Sequence, residues 1–276
     1  MILFTYVVLF FLVIRFSVTL FNFLSNPKLP YFRQRLNGLV SVVITVKNEE
    51  SNLLSLLAAL DEQDYPDLEI IISHAGLDTA DPALSGHRLK FIGKGSSKTS
   101  YDWLAPHING DYILLLDSNI RVEKGFIYSL IYRSEVFKQP ILAIIPNQKP
   151  RGLFQQLILP LQDFVLLNLI PLRVLKLLKG VTLINLRQDC IFFTLNAFKN
   201  YASSAAPVEI LLANKMAVNR YDTDNTRLLK TSTEIFMHNM AGNLLSGFFY
   251  TFLVVAGPVI LAFGVDPYIL MLPAGL

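Results

Sequence analysis

Asp117-Ser118-Asn119 closes the apolar run Tyr112 to Leu116. At the end of an extended strand, the first and third residues of such a tripeptide project to the same side. Their oxygens suit a hard divalent cation, Mg2+ or Mn2+, and a metal held there can clamp a diphosphate. Asp-Ser-Asn is also ordinary turn chemistry, so the tripeptide alone leaves both readings open. Two further polar clusters follow apolar runs in the same way, Thr45 to Glu49 and Ser73 to Asp78. The single cysteine, Cys190, excludes an internal disulfide, and no Cys/His cluster has the spacing of a zinc site. Flanked by Ile191, Phe192 and Phe193, Cys190 reads as an inert buried thiol.

These clusters need elements to hold them. Leu39 to Val46 is a continuous β-branched run, the pattern of a strand buried on both faces. Leu53, Leu54, Leu56, Leu57 and Leu60 then repeat at helical spacing. Ile70 to Ile72, Leu89 to Ile92, Tyr112 to Leu116 and Leu142 to Ile145 supply further strands. Strand–helix–strand alternation predicts an α/β domain with a mostly parallel sheet. In such sheets ligands bind beyond the carboxyl ends of the strands. All three polar clusters fall at such ends.

Composition adds a membrane. Of the 276 residues 53% are hydrophobic and 16% charged, against about 25% charged in a typical soluble domain. The mean hydropathy is +0.45. The net charge of +3 carries no basic stripe and excludes a nucleic-acid binder as the first reading. Residues 1–24 are apolar apart from Arg15 and a few small polar residues, long enough to span a ~30 Å hydrocarbon layer. An uncleaved anchor fits better than a signal peptide, because no basic residue precedes the run and no small-residue cleavage site follows it. Arg15 is costly at that depth unless it snorkels or meets another helix. Residues 244–276 read as an incomplete C-terminal transmembrane region with Gly257-Pro258 inside it. Lys28, Arg33 and Arg35 place residues 25–243 on the cytoplasmic side, which gives a multi-pass protein of the cell (inner) membrane. Within that domain, residues 151–180 are apolar, broken by Pro160 and Pro171, and carry Arg151, Arg173, Lys176 and Lys179. Broken interfacial helices meeting anionic head groups are expected there, with buried core helices as the alternative.

With these residues in view, the chain resembles the membrane-anchored family 2 glycosyltransferases of GT-A fold. Val40 to Glu50 is similar to the family's opening strand and Asn-Glu-Glu loop, and Gln63 to Ile71 to its second strand. Gly110 through Asn119, with Glu123-Lys124-Gly125 behind, is similar to the segment carrying its DXD metal motif. Gln156 to Leu161 with Ile170-Pro171-Leu172 is similar to the interfacial segment of members that glycosylate carotenoid or other lipid acceptors, and Arg227 to Asn243 resembles the entry to their C-terminal helices.

The resemblance implies inverting transfer of a sugar from a nucleotide-sugar donor to a lipid or membrane-presented acceptor, with a divalent cation. Thr45, Lys47 and Glu49 would line the nucleotide pocket, Lys98 would stand near the donor phosphates, and Asp117 and Asn119 would hold the metal. Glu209 falls at the family's catalytic acid, which would accept the proton of the attacking hydroxyl. Its plainer reading is a helix N-terminal acid. Gln188 and Asp189 fall on the acceptor side. Four positions depart from the family pattern. His74-Ala75-Gly76 stands in place of Asp-Asp-Gly, so His74 would take over the nucleoside contact. Asn119 replaces an acid, Val208-Glu209 replaces Glu-Asp, and no Gln-X-X-Arg-Trp motif follows. A relative that kept fold and membrane seat but acts as a scaffold is therefore the alternative.

Overall fold

The computed structural model describes the chain except residues 1, 33, 35, 47–49, 75–88, 94–101, 151, 176–188, 201–206, 221–224, 240–242 and 265–276. It divides into an α/β unit, Pro27–Arg151 with Leu172–Thr223, and a helical unit, Met1–Asn26 with Gly152–Pro171 and Asp224–Leu276.

The α/β unit is built on strands β1 (Val40–Thr45), β2 (Leu68–His74), β3 (Leu89–Gly93), β4 (Tyr112–Asp117), β5 (Ile120–Val122), β6 (Ile141–Ile145), β7 (Asn147–Lys149), β8 (Cys190–Thr194), β9 (Val208–Leu212) and β10 (Ala217–Arg220). Seven form one sheet in the order β3-β2-β1-β4-β8-β6-β9, and β5, β10 and β7 form a second. The large sheet is parallel except where β8 runs against β4 and β6. The apolar runs at β1, β2, β3, β4 and β6 thus become strands as expected, and the α/β class holds.

Helices α2 (Glu50–Asp61) and α3 (Phe126–Phe137) form one core with the sheet. Leu53, Leu56, Leu57 and Leu60 of α2 are all buried against it. At about 1.5–3 kcal/mol for each buried side chain, that stripe fixes α2 firmly, and with it the polar residues of its first turn. Gly125 precedes α3 in the left-handed region (φ 80°), and a Cβ there would lie 2.2 Å from the Tyr31 ring. Only glycine fits that turn.

The helical unit contains α1 (Ile2–Ser25) and α4 (Leu153–Leu169). Leu3–Ser25 is, among the described residues, the one helix long and apolar enough to cross a membrane. Thr19 donates to Asn168, and Asn22 Nδ2 donates to the carbonyls of Leu167 and Ile170 at 2.8 Å each. These contacts advance together along both chains, so α4 lies parallel to α1. The sequence leads one to expect broken helices at 151–180. Helix α4 continues through Pro160 and stops at Ile170, which the following Pro171 forces into an extended conformation (ψ 115°), so the break falls at Pro171 and not at Pro160. A short helix, α5 (Leu172–Leu175), then belongs to the α/β unit. Helix α6 (Leu195–Lys199) follows β8, and α7 (Asn225–Asn239) opens the C-terminal part. Helices α8 (Leu244–Thr251) and α9 (Gly257–Gly264) are joined by one π turn, Phe252–Ala256. The last part of the expected 244–276 region, residues 265–276, lies outside the described residues.

Candidate active site

Thr45 and Asp117 are register partners of β1 and β4, so parallel pairing delivers both to one carboxyl edge of the sheet. The Ser118 N–H donates to the Thr45 carbonyl at 3.2 Å and extends that pairing past the strand. Asp117 is 8% exposed, and its Oδ1 accepts the Asn119 N–H at 3.1 Å, an Asx turn that fixes the carboxylate. The Asn119 Oδ1 accepts from Asn52 Nδ2 at 2.7 Å, tying the tripeptide to the first turns of α2. The carbonyl of Asn119 accepts the Arg220 N–H at 2.9 Å, and Arg220 Nη1 lies 3.4 Å from Ser55 Oγ.

Asp189 reaches the same place from the far side of the chain. Because β8 is antiparallel to β4, with Cys190 opposite Leu116, the residue before Cys190 meets the residue after Leu116. The Asp117 N–H donates to the Asp189 carbonyl at 2.8 Å. Burial and the neighbouring Asp189 charge push the Cys190 thiol well above the usual thiol range, which leaves it unreactive. Ser73, beside Thr45 in register, is buried, and its Oγ has no partner among the described residues. A buried hydroxyl left open at this edge suits a polar ligand. His74 ends β2 here by backbone alone; its side chain, like Lys47, Glu49, Lys98 and Gln188, lies outside the described residues.

Glu209 does not join them. It pairs in register with Leu142, which pairs with Phe192, which pairs with Leu114. It therefore stands three strands across from β4 and three residues short of the Asp117 level, roughly 17 Å away at ordinary strand spacings. Its side chain is fully buried. Arg133 of α3 grips it with two hydrogen bonds, Nε to Oε2 at 2.8 Å and Nη2 to Oε1 at 2.5 Å. Arg173 of α5 adds Nη1 to Oε1 at 3.3 Å. A carboxylate held this way ties α3 and α5 to β9. Glu209, expected as the catalytic base, is the centre of a buried ion pair away from the Asp117 edge, and Arg173 faces it instead of lipid.

Sequence reasoning missed Asn52 and Arg220 as neighbours of the tripeptide. Asn52 belongs to the polar segment after β1 and was open to view; Arg220 arrives through the second sheet, which its short strands conceal.

The oxygen-only set of Asp117 and Asn119 fits a hard divalent cation. No three His, Cys, Asp or Glu side chains cluster for a metal among the described residues. Such an ion would therefore depend on phosphate oxygens and water for its remaining positions, as Mg2+ commonly does.

Residues 41–156 match the family model for glycosyl transferase family 2. No curated protein sequence matches the chain. Among solved structures it is similar to the mannosyltransferase PcManGT from Pyrobaculum calidifontis, determined in complex with GDP-Man and Mn2+. The TM-score is 0.58 at 12% identity, covering 99% of this chain and 91% of that one. It is also similar to S. aureus TarS 1-349, with a TM-score of 0.47 at 14% identity, covering 83% of this chain and 75% of that one. The chain therefore has the GT-A fold, and its residues 41–156 match the glycosyl transferase family 2 model.

Proposed function

We propose that this chain is a membrane-seated glycosyltransferase that moves a sugar from a nucleotide-sugar to a lipid or membrane-presented acceptor with inversion at the anomeric carbon. The observation that carries the reading is the meeting of Asp117, Asn119 and Asp189 at one carboxyl edge of the sheet, beside Thr45 and the open hydroxyl of Ser73. The donor side consists of Thr45, His74 and Asp117, with Lys47, Glu49 and Lys98. A divalent cation held by Asp117 and Asn119 would neutralise the diphosphate leaving group. The Mn2+ and GDP-Man complex of the similar mannosyltransferase supports that choice of cofactor and donor class.

Asp189, on the acceptor side with Gln188, replaces Glu209 as the carboxylate assigned to proton removal. The acceptor hydroxyl oxygen attacks the anomeric carbon as its proton passes to the Asp189 carboxylate. The new C–O bond forms on the face opposite the breaking bond to the diphosphate, and the nucleoside diphosphate leaves. Helix α1 supplies the membrane seat. The backbone runs in helical conformation through the π turn from Leu244 to Gly264, roughly 31 Å at 1.5 Å per residue, which supports a second crossing. Lys28, Arg33 and Arg35 argue that the α/β unit is cytoplasmic.

The test is transfer or hydrolysis by the full chain, in detergent with Mn2+ or Mg2+, across a panel of nucleotide-sugars. Turnover that Asp117→Ala and Asp189→Asn each abolish supports the reading; turnover that survives both rejects the site. A second reading, a non-catalytic relative acting as a scaffold, draws on the neutral Asn119 and the ion-paired Glu209. Absence of nucleotide-sugar binding by calorimetry would favour it.

A further inference from the structure

Asn119 is held at three points. Its N–H donates to Asp117 Oδ1 at 3.1 Å, its carbonyl accepts the Arg220 N–H at 2.9 Å, and its Oδ1 accepts from Asn52 Nδ2 at 2.7 Å. The first two contacts fix the backbone. The third is the one hydrogen bond that the Asn119 side chain makes among the described residues.

That contact matters because the residue is an amide. A carboxylate in its place would offer an oxygen whichever way it turned. An amide has a C=O that accepts and an NH2 that donates, and the two ends are nearly the same shape. Half a turn about the last side-chain bond would exchange them, and an NH2 is no ligand for a cation. A donor seated on the oxygen opposes that turn, since two NH2 groups would then face each other. Asn52 is itself well placed to donate. It is the third residue of α2, where the unpaired N–H groups of the first turn favour an amide oxygen turned toward the helix and an NH2 turned away. The buried leucines of α2 hold that turn in place. The Asn119 oxygen has two lone pairs, so accepting from Asn52 leaves one for a ligand, and the hydrogen bond polarises the carbonyl in the ligand's favour.

We propose that Asn52 is the positioning residue that lets the neutral Asn119 serve as a cation ligand, by keeping its amide oxygen and not its NH2 available to the divalent cation. The inference rests on the cation reading of Asp117 and Asn119 under the proposed function. It assigns the compensation for the acid replaced by Asn119 to a side chain 67 residues away in the sequence.

The test is a double-mutant cycle on the full chain in detergent, with Mn2+ as the probe, UDP or GDP present, and bound Mn2+ read by electron paramagnetic resonance. Asn52→Leu should raise the Mn2+ concentration at half-saturation about tenfold, the range for loss of a group that orients a metal ligand. In an Asn119→Asp chain, whose carboxylate needs no orienting donor, the same substitution should cost less than about threefold. Asn52→Ala should repeat both results, and thermal unfolding confirms that the chains compared are folded. An equal loss in the two backgrounds would make Asn52 a structural residue and overturn the proposal, as would no loss in either. Asp117→Ala separates the two claims. If it abolishes Mn2+ binding while Asn52→Leu leaves it intact, the role of Asn52 fails alone; if Mn2+ binding survives Asp117→Ala, the cation site fails and the inference with it.

Discussion

Asp117 and Glu209 are both buried carboxylates on one sheet, yet they differ in every respect that matters for chemistry. Asp117 ends its strand and is oriented by the backbone N–H of Asn119. Glu209 lies inside its strand and is oriented by two arginines, from α3 and α5. In an α/β sheet the side chains along a strand face packed layers, and only those at its carboxyl end face a crevice. An acid's place along the strand therefore decides whether it is available to a ligand or committed to holding elements together.

The largest consequence falls on stability. Glu209→Gln leaves Arg133 buried without its charge partner, and the loss is expected to be roughly 3–5 kcal/mol in denaturant unfolding. Replacing both residues by apolar ones, Arg133→Met with Glu209→Leu, should recover most of it. A Glu209→Gln chain as stable as wild type, with transfer abolished, would restore Glu209 to catalysis.

Asp189→Asn tests the other side of the contrast. Turnover should fall about 10²–10⁴-fold, the range for loss of a general base, with the unfolding midpoint nearly unchanged. A large loss of stability with unchanged turnover in the folded fraction would make Asp189 structural.

Glu69 offers a smaller and pH-dependent effect near the amino end of β2. Burial works against its ionisation, but hydrogen bonds from Ser41 and Asn109, and the nearby Lys90, hold its carboxyl below the ordinary 4.5. Its folded pKa is lower than its unfolded one, so its contribution is complete above pH 4.5 and fades as pH falls through the folded value. Glu69→Gln should flatten that acid limb of the stability curve.

The smallest effect concerns Cys190. Its thiol, buried beside Asp189, should resist alkylation by iodoacetamide in the native chain and react at once in urea.

Much of this architecture is readable from residue order. The β-branched run of β1 and the leucines of α2 give their elements by periodicity, and Asp117 follows from its place after an apolar strand. Glu209 is hidden because its meaning depends on Arg133 and Arg173, distant along the chain and adjacent only once α3, α5 and β9 have packed. Asp189 is half legible. Cys190 to Phe193 reads as a buried apolar run, but nothing in that pattern reveals the antiparallel pairing that sets Asp189 beside Asp117. Arg15, conspicuous as a charge in an apolar run, gains its aromatic surroundings only when α4 and α8 are placed against α1.

The most direct test of the account is calorimetric titration of nucleotide-sugars in the presence of Mn2+ with three chains: wild type, Asp117→Ala and folded Glu209→Gln. Metal-dependent binding that disappears in Asp117→Ala and persists in Glu209→Gln is the expected result. Binding untouched by Asp117→Ala, or lost in a folded Glu209→Gln chain, would contradict a donor site at the carboxyl edge of β1 and β4.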